Sequence, residues 1–157
     1  MKVVLAAVGR PRPPLAAAVA EYEARAARYW PLEAHEVREE PARGATSMAA
    51  LERVRAAEGE RLLARAPSGA VVVACDERGD AWTSARFAAW LRDRRDAAQS
   101  VAFVVGGAHG IAPAVRAAAQ VRLAVAPWTL PHEMARLVLA EQLYRAGTIV
   151  RGEPYHK

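Results

Sequence analysis

Hydrophobic residues along this chain alternate between short β-branched runs and longer stretches with helical spacing. Four apolar runs predict strands, at 2–8, 70–75, 101–105 and 121–126, and a more polar segment at 32–37 predicts a further one. The stretches between most of them predict helices, including one that Thr46 or Ser47 caps and that extends to Ala66. Since strands and helices alternate, we expect an α/β fold with an open, mainly parallel sheet and helices on both faces.

Two polar segments interrupt this pattern. The segment Asp76 to Asp80 follows a buried strand and predicts a turn, and residues 39–47 predict a polar loop. A Gly-Gly pair, Gly106-Gly107, comes directly after the run 101–105. It permits positive φ and lets a ligand approach the backbone closely, although an isolated pair also suits a plain tight turn.

The C-terminal stretch predicts a helix that is apolar nearly all round. Pro131 suits its first turn and Gly147 suits its end. Met134, Leu139 and Tyr144 do not share one stripe, which is typical of a helix buried on more than one side. One side can meet the sheet of its own chain, so we expect the other to contact a second copy in a homodimer.

Composition limits the class of protein. The 157 residues predict a single domain, 1–157, with 53% hydrophobic and 25% charged residues. The lone Cys75 excludes an internal disulfide and suits a reducing cytoplasm, where we expect the protein to work. No apolar run approaches the length needed to span a membrane. The net charge of +5 and a pI near 10.0 favour a polyanionic partner such as nucleic acid.

Three loops are candidates for a ligand site. In an open parallel sheet, ligands bind where the carboxyl ends of the strands converge. The loops after Cys75, Val105 and Val125 should meet there. Several common sites do not fit: the Gly-x-Gly-x-x-Gly spacing is missing, and Leu130 stands where a dinucleotide fold needs an acidic residue. There is no Gly-Lys-Ser/Thr phosphate loop.

Metal and hydrolase sites are also poorly supported by the sequence. The four histidines, His35, His109, His132 and His156, are scattered, with no i,i+4 pair, so we expect no metal. Ser84 lies on no nucleophile elbow.

Several spaced motifs together point to a known family. They are Gly106-Gly-x-x-Gly110, Thr129-x-Pro-His132, Arg136, Glu141-Gln-x-Tyr-Arg145 and Tyr155-His156. In this order and over the whole chain, they resemble the RlmH family. Its members are small SPOUT-class methyltransferases that methylate N3 of a pseudouridine in large-subunit ribosomal RNA.

The resemblance implies a C-terminal trefoil knot, a homodimer that pairs two sites, and a pocket that holds S-adenosyl-L-methionine in a bent shape. Carried over by position, the cofactor residues are Cys75, Gly106, Gly107, Gly110, Val125, Ala126, Pro127, Trp128, Thr129 and Leu130. The family usually has leucine where Cys75 stands, so a side-chain contact there is altered while a backbone contact would survive. His109 lies in a variable part of the glycine loop and receives no role from the resemblance.

The predicted chemistry needs alignment of the methyl donor with the base, and removal of a proton. A neutral imidazole can accept that proton, so we expect His156, and next His132, to act as the base. An equally good interpretation is that His132 has a structural role at the start of the helix, where its side chain forms a hydrogen bond to the backbone. Tyr155 is predicted to stack on the target base.

Cations near the target base would stabilise its anion. Arg136, Arg145 and Arg151 are the candidates on or beside the terminal helix. For Arg145 an i,i+4 ion pair with Glu141 is the preferred interpretation.

Size and charge also predict the partner. A chain with no separate RNA-binding domain should recognise large-subunit ribosomal RNA through its dimer surface, within the assembled ribosome. Two alternatives stay open: an RNA-binding module without activity, and a flavodoxin-like domain that uses Asp76 as its acidic residue.

Overall fold

The structure is a computed structural model that describes residues 1–156, with the backbone alone at His156. The strands are β1 (Val3–Val8), β2 (Leu32–Val37), β3 (Val71–Ala81), β4 (Val101–Val105) and β5 (Val121–Ala124). The helices are α1 (Leu15–Ala26), α2 (Met48–Leu63), α3 (Ser84–Asp96), α4 (Pro113–Ala118) and α5 (His132–Val150), followed by a 3₁₀ turn at Pro154–His156. No helix within 1–156 is long and apolar enough to cross a membrane.

All strand pairs in the sheet are parallel, and the strand order is β2-β1-β4-β3-β5. Alternate residues of β1 and β4 serve opposite faces and are buried on both. Helices α1, α3 and α5 cover one face, with Leu91 and Leu143 fully buried. Helices α2 and α4 cover the other. The predicted α/β class, with a parallel sheet and helices on both faces, is therefore confirmed.

Two helix starts follow the predicted capping chemistry. The Ser47 hydroxyl accepts a hydrogen bond from the backbone N–H of Ala50, and Thr83 does the same for Arg86. Both caps satisfy N–H groups that the first helical turn leaves without partners.

The predicted turn at 76–80 is wrong. Strand β3 continues through this segment and pairs with β5 on both sides of a register shift between Cys75 and Asp80. Asp76 is still buried, whereas Glu77, Arg78 and Asp80 are exposed, so the bulge carries most of this polar segment out to solvent within the strand. Gly79 lies so close to β5 that a Cβ there would be 2.6 Å from the backbone of Arg122.

The predicted end of α5 at Gly147 is also wrong, because the helix continues to Val150. A Cβ at Gly147 would lie 2.3 Å from Cγ of Tyr29. The glycine therefore permits close packing between α5 and the segment after α1. In the sequence, a glycine that permits close packing within a helix looks the same as a glycine that ends one. Only the contact with Tyr29 shows that Gly147 is of the first kind.

Candidate functional site

A cavity of about 390 Å³ lies beyond the carboxyl ends of β4 and β5 and beside residues 75–77 of β3. Its volume is within the usual range for sites that bind small molecules and cofactors. The lining includes all the predicted cofactor residues except Pro127, namely Cys75, Gly106, Gly107, Gly110, Val125, Ala126, Trp128, Thr129 and Leu130. The loops after Val105 and Val125 meet at this edge as expected, whereas the segment after Cys75 reaches it as part of β3 and not as a loop.

The glycine loop is folded tightly on itself. The backbone N–H of Gly110 donates to the carbonyl of Gly107 at 3.0 Å, and Gly110 has a φ of +83°. A Cβ at Gly106 would lie 2.8 Å from the Gly110 carbonyl oxygen, and one at Gly107 would lie 2.9 Å from Oε2 of Glu58. Both glycines thus meet protein atoms on their Cβ side, so internal packing requires them irrespective of a ligand.

A second loop, Val125 to Leu130, closes the cavity from the β5 side. The hydroxyl of Thr129 donates to Oε2 of Glu77 at 2.6 Å, which fixes this loop to β3. Trp128 is 77% exposed although it also lines the cavity. Its indole therefore forms part of the rim rather than of the core.

Cys75 stands at the β3 side of the cavity. Burial raises the pKa of its thiol to about 12, so the side chain is a neutral, weakly polar group at physiological pH.

His132 is the one predicted catalytic side chain, among those the structure describes, that lines the cavity. It is the first residue of α5, and its Nε2 is buried without a hydrogen-bond partner, 3.9 Å from Oε1 of Glu39. No hydrogen bond to the backbone involves this nitrogen. His109 lines the same cavity, although the sequence assigned it no role.

Arg136 lies outside the cavity. Its guanidinium donates to both carboxylate oxygens of Glu23, at 2.7 and 3.2 Å, and to Oε1 of Glu36 at 3.2 Å. These contacts outweigh burial, which by itself would lower the pKa of Arg136, and raise that pKa above its usual value. Two carboxylates already engage the guanidinium, so the geometry favours a structural ion pair over the predicted stabilisation of a target base.

Tyr155 also lies outside the cavity of its own chain. Its hydroxyl donates to Oε1 of Glu141 at 3.1 Å, and its ring lies 4.5 Å from that of Tyr144. Burial raises the pKa of Tyr155, and Tyr22 and Glu141 add to this shift. Tyr155 thus packs on the surface of α5. The side chain of His156 is outside the described part of the chain.

The remaining predicted cations belong to ion pairs or carbonyl contacts. The expected i,i+4 pair is present, with the Arg145 guanidinium 2.6 Å from Oε1 of Glu141. Arg151 donates to the backbone carbonyl of Arg28 and stacks over Tyr29. Neither lines the cavity.

The sequence interpretation missed Arg55 and Arg116, which also line the cavity, whereas Asp76 and Glu77 belong to the predicted segment after Cys75. Asp76 is buried and accepts a hydrogen bond from Nε of Arg116 at 2.6 Å. That pairing leaves Asp76 no role as a free acidic residue of a flavodoxin-like domain. Among residues 1–156, no group of three or more metal-ligating side chains occurs.

The fold and the cavity define a class: an α/β protein with a nucleoside-sized site at the carboxyl edge of a parallel sheet. Residues 1–156 match the family model described as predicted SPOUT methyltransferase. The chain belongs to this SPOUT methyltransferase family, whose members generally use S-adenosylmethionine.

Relatives cover the whole chain. It is 60% identical, over the full length of both proteins, to the ribosomal RNA large subunit methyltransferase H of Gemmatimonas aurantiaca. It is 49% identical, again over both full lengths, to the protein of that name from Anaeromyxobacter sp. strain K. The identity to the one from Burkholderia mallei is 43%, over the full chain and 99% of the relative. The resemblance seen in the sequence motifs is thereby confirmed.

Proposed function

We propose that this protein is an S-adenosylmethionine-dependent methyltransferase that acts on N3 of a pseudouridine in large-subunit ribosomal RNA. The observation that carries the proposal is the cavity, where the predicted cofactor residues other than Pro127 meet. The names of the relatives at 43–60% identity supply the class of substrate.

The residues present fit this cofactor. The cavity is large enough for a nucleoside, most of its lining residues belong to the loops 106–111 and 125–130, and it contains an unpartnered polar atom, Nε2 of His132. The loops Gly106 to Gly110 and Val125 to Leu130 would hold the adenosine part by backbone contacts. When bound, S-adenosylmethionine supplies an electrophilic methyl group. The family further implies a trefoil knot around this pocket, which stays a prediction.

The residues of the chain must then orient the base and remove its N3 proton. We expect His132, which lines the cavity, to accept this proton, and His156, the first candidate from the sequence, stays a predicted base as well. Without a proton acceptor the N3 nitrogen is a poor nucleophile, so a His132→Gln variant should lose most turnover while it keeps cofactor affinity. Equal loss of both would indicate a structural role for His132.

Cofactor binding is tested by calorimetric titration with S-adenosylmethionine. An Ala126→Trp variant places a large side chain on the cavity wall and should abolish the binding heat. Ala117→Trp is the matched control, because Ala117 is exposed on α4 and does not line the cavity. Binding that survives in Ala126→Trp would contradict the proposed pocket.

Methyl transfer is tested by mass spectrometry of ribosomal RNA from a strain lacking the gene, before and after purified protein and cofactor are added. We expect one methyl group to be restored on a pseudouridine in assembled ribosomes or large subunits. Unchanged RNA under conditions where the cofactor binds would exclude the enzymatic function.

We also propose that the protein works as a homodimer on the assembled ribosome. Tyr155 cannot reach the cavity of its own chain as placed here, so its predicted stacking on the base requires a second copy. The half-buried Leu137, Val138 and Tyr144 of α5 offer an apolar surface for that contact. Mixed dimers of Ala126→Trp and Tyr155→Ala protomers should regain methyl transfer that neither variant has alone. No recovery, with dimers shown by light scattering, would refute a shared site.

A further inference from the structure

Two arginines line the cavity on the side of the sheet that α2 and α4 cover. Arg55 is on α2 and Arg116 is on α4. The two helices touch at Gly59, where a Cβ would lie 2.8 Å from Cγ2 of Val115. Arg55 is one helical turn before Gly59, and Arg116 directly follows Val115, so this close packing brings both side chains to the same wall.

Arg116 is held in place by a buried carboxylate. Its Nε is 2.6 Å from Oδ2 of Asp76, whose side chain is only 3% exposed. The other carboxylate oxygen of Asp76 accepts the backbone N–H of Arg78 at 3.1 Å. A guanidinium has five N–H donors, and this bond uses one of them. Since the side chain of Arg116 is still 33% exposed, its terminal nitrogens stay available on the cavity side.

Arg55 has no such partner. Its Nε is buried without a hydrogen-bond acceptor, and no carboxylate among the described side chains lies within 4.0 Å of its guanidinium. The other acidic residue of the cavity, Glu77, already accepts a hydrogen bond from Thr129. A buried donor without an acceptor is unfavourable unless something else supplies one. The unpaired charge and the empty donor of Arg55 both point to an anionic ligand.

We propose that Arg55 and Arg116 form an anion site on this wall, with Asp76 as the positioning residue for Arg116. Its ligand is a carboxylate or a phosphate, the two groups that match the guanidinium fork. Resting on the proposed function, two sources supply such a group: the carboxylate of the amino-acid part of the methyl donor, and a phosphodiester of the RNA. The same chemistry recognises either source, and binding experiments separate them.

The primary variant is Arg55→Met, which removes the charge and keeps an unbranched side chain. Arg53→Met is the matched control, because Arg53 is exposed on the same helix and carries the same charge. Arg55→Lys keeps the charge without the fork. Circular dichroism and the urea midpoint establish that all three variants are folded.

The first arm compares S-adenosylhomocysteine with 5′-methylthioadenosine, which lacks the amino-acid part, by calorimetry. If the carboxylate is the ligand, Arg55→Met lowers the affinity for S-adenosylhomocysteine about tenfold or more, which is the usual effect of losing a charge-assisted hydrogen bond. The affinity of Arg55→Met for methylthioadenosine should be unchanged, and Arg53→Met should bind both ligands as the parent protein does. Arg55→Lys recovers part of the affinity.

The second arm measures co-sedimentation with ribosomes from the deletion strain at increasing KCl and constant Mg²⁺. If a phosphate is the ligand, Arg55→Met lowers the slope of log affinity against log salt by about one, whereas S-adenosylhomocysteine affinity is unchanged.

A third arm titrates pyrophosphate into the parent protein and Arg55→Met by ³¹P NMR. If the parent binds pyrophosphate but neither S-adenosylhomocysteine nor ribosomes, the proposed function fails and the anion site stands. The anion site is overturned if Arg55→Met equals Arg53→Met in the first two arms and binds pyrophosphate as tightly as the parent protein in the third.

Discussion

Replacing Arg136 with methionine would remove the guanidinium from a buried ion-pair cluster while keeping much of the side-chain volume. Arg136 is 5% exposed and connects α5 to Glu23 on α1 and to Glu36 on β2. Its removal leaves two carboxylates facing each other without their shared cation. Glu23 is 15% exposed and has no other ion-pair partner among the described side chains, whereas Glu36 keeps the exposed Arg10. Most of the cost should therefore come from Glu23.

Breaking a buried pair by removing one partner typically costs about 3–5 kcal/mol, because a charge is left uncompensated. Glu36 is 35% exposed and partly screened by water, which places the expected loss near the lower bound, at about 3 kcal/mol. With a urea slope of roughly 2 kcal/mol per molar, the midpoint would fall by about 1.5 M. A triple variant with Glu23→Gln and Glu36→Gln should recover most of the loss, because no uncompensated charge remains.

The assay is urea unfolding at a fixed protomer concentration, since a dimer makes stability depend on concentration. Arg25→Met is the control: its i,i+4 pair with Glu21 is on the surface, and its loss should cost under about 1 kcal/mol. The reasoning would be refuted if Arg136→Met lost less than about 1 kcal/mol of unfolding free energy and yet abolished methyl transfer. That result would restore the catalytic role that the sequence suggested for Arg136.

Three further predictions concern buried positions. Gly147→Ala should destabilise the protein by about 1–3 kcal/mol in urea, because the new Cβ would overlap the ring of Tyr29; a stabilised variant would show that the helix packs elsewhere. Burial raises the pKa of Glu58, so the folded state favours its protonated form and loses stability as pH rises above about 4.5. Glu58→Gln should therefore become more stable relative to the parent between pH 4.5 and 8, and a constant difference would contradict the shift. With its pKa raised to about 12, Cys75 should react with iodoacetamide at pH 8 about a thousandfold more slowly than in the unfolded chain; similar rates would show that the thiol is not buried.

Local patterns predicted much of the fold. The structure gives the bounds 32–37 and 101–105 for β2 and β4, as the sequence pattern indicated. β4 is buried on both faces, and a run of that kind shows little ambiguity because no helix pattern competes at that length. The failures at 76–80 and at Gly147 share a cause. In both places the local pattern indicated a break, whereas the residues make a long-range contact. The polar stretch pairs with β5, and Gly147 packs against Tyr29.

The segments that line the cavity could be located because the carboxyl ends of parallel strands meet at one edge whatever the strand order, whereas the individual cofactor residues came from the resemblance to the family. Arg55 and Arg116 follow no strand end. They reach the same cavity only because α2 and α4 cross at Gly59. Their helices show ordinary apolar spacing, and in a chain with 22 Lys and Arg residues a single arginine carries no signal.

Helix α5 shows why motif residues close in sequence differ in role. His132 and Arg136 are about one turn, or roughly 6 Å, apart along the helix, yet His132 lines the cavity while Arg136 contacts α1 and β2. Tyr155 packs near Glu141, on the part of the helix two turns beyond His132, so it cannot serve the cavity that His132 lines. One helix thus contributes a cavity residue at its start, an internal ion pair next, and a surface for the chain terminus after that. The proposed chemistry, which uses both His132 and Tyr155, would therefore require two chains, so the proposed dimer is a condition of the proposed mechanism and not a separate property.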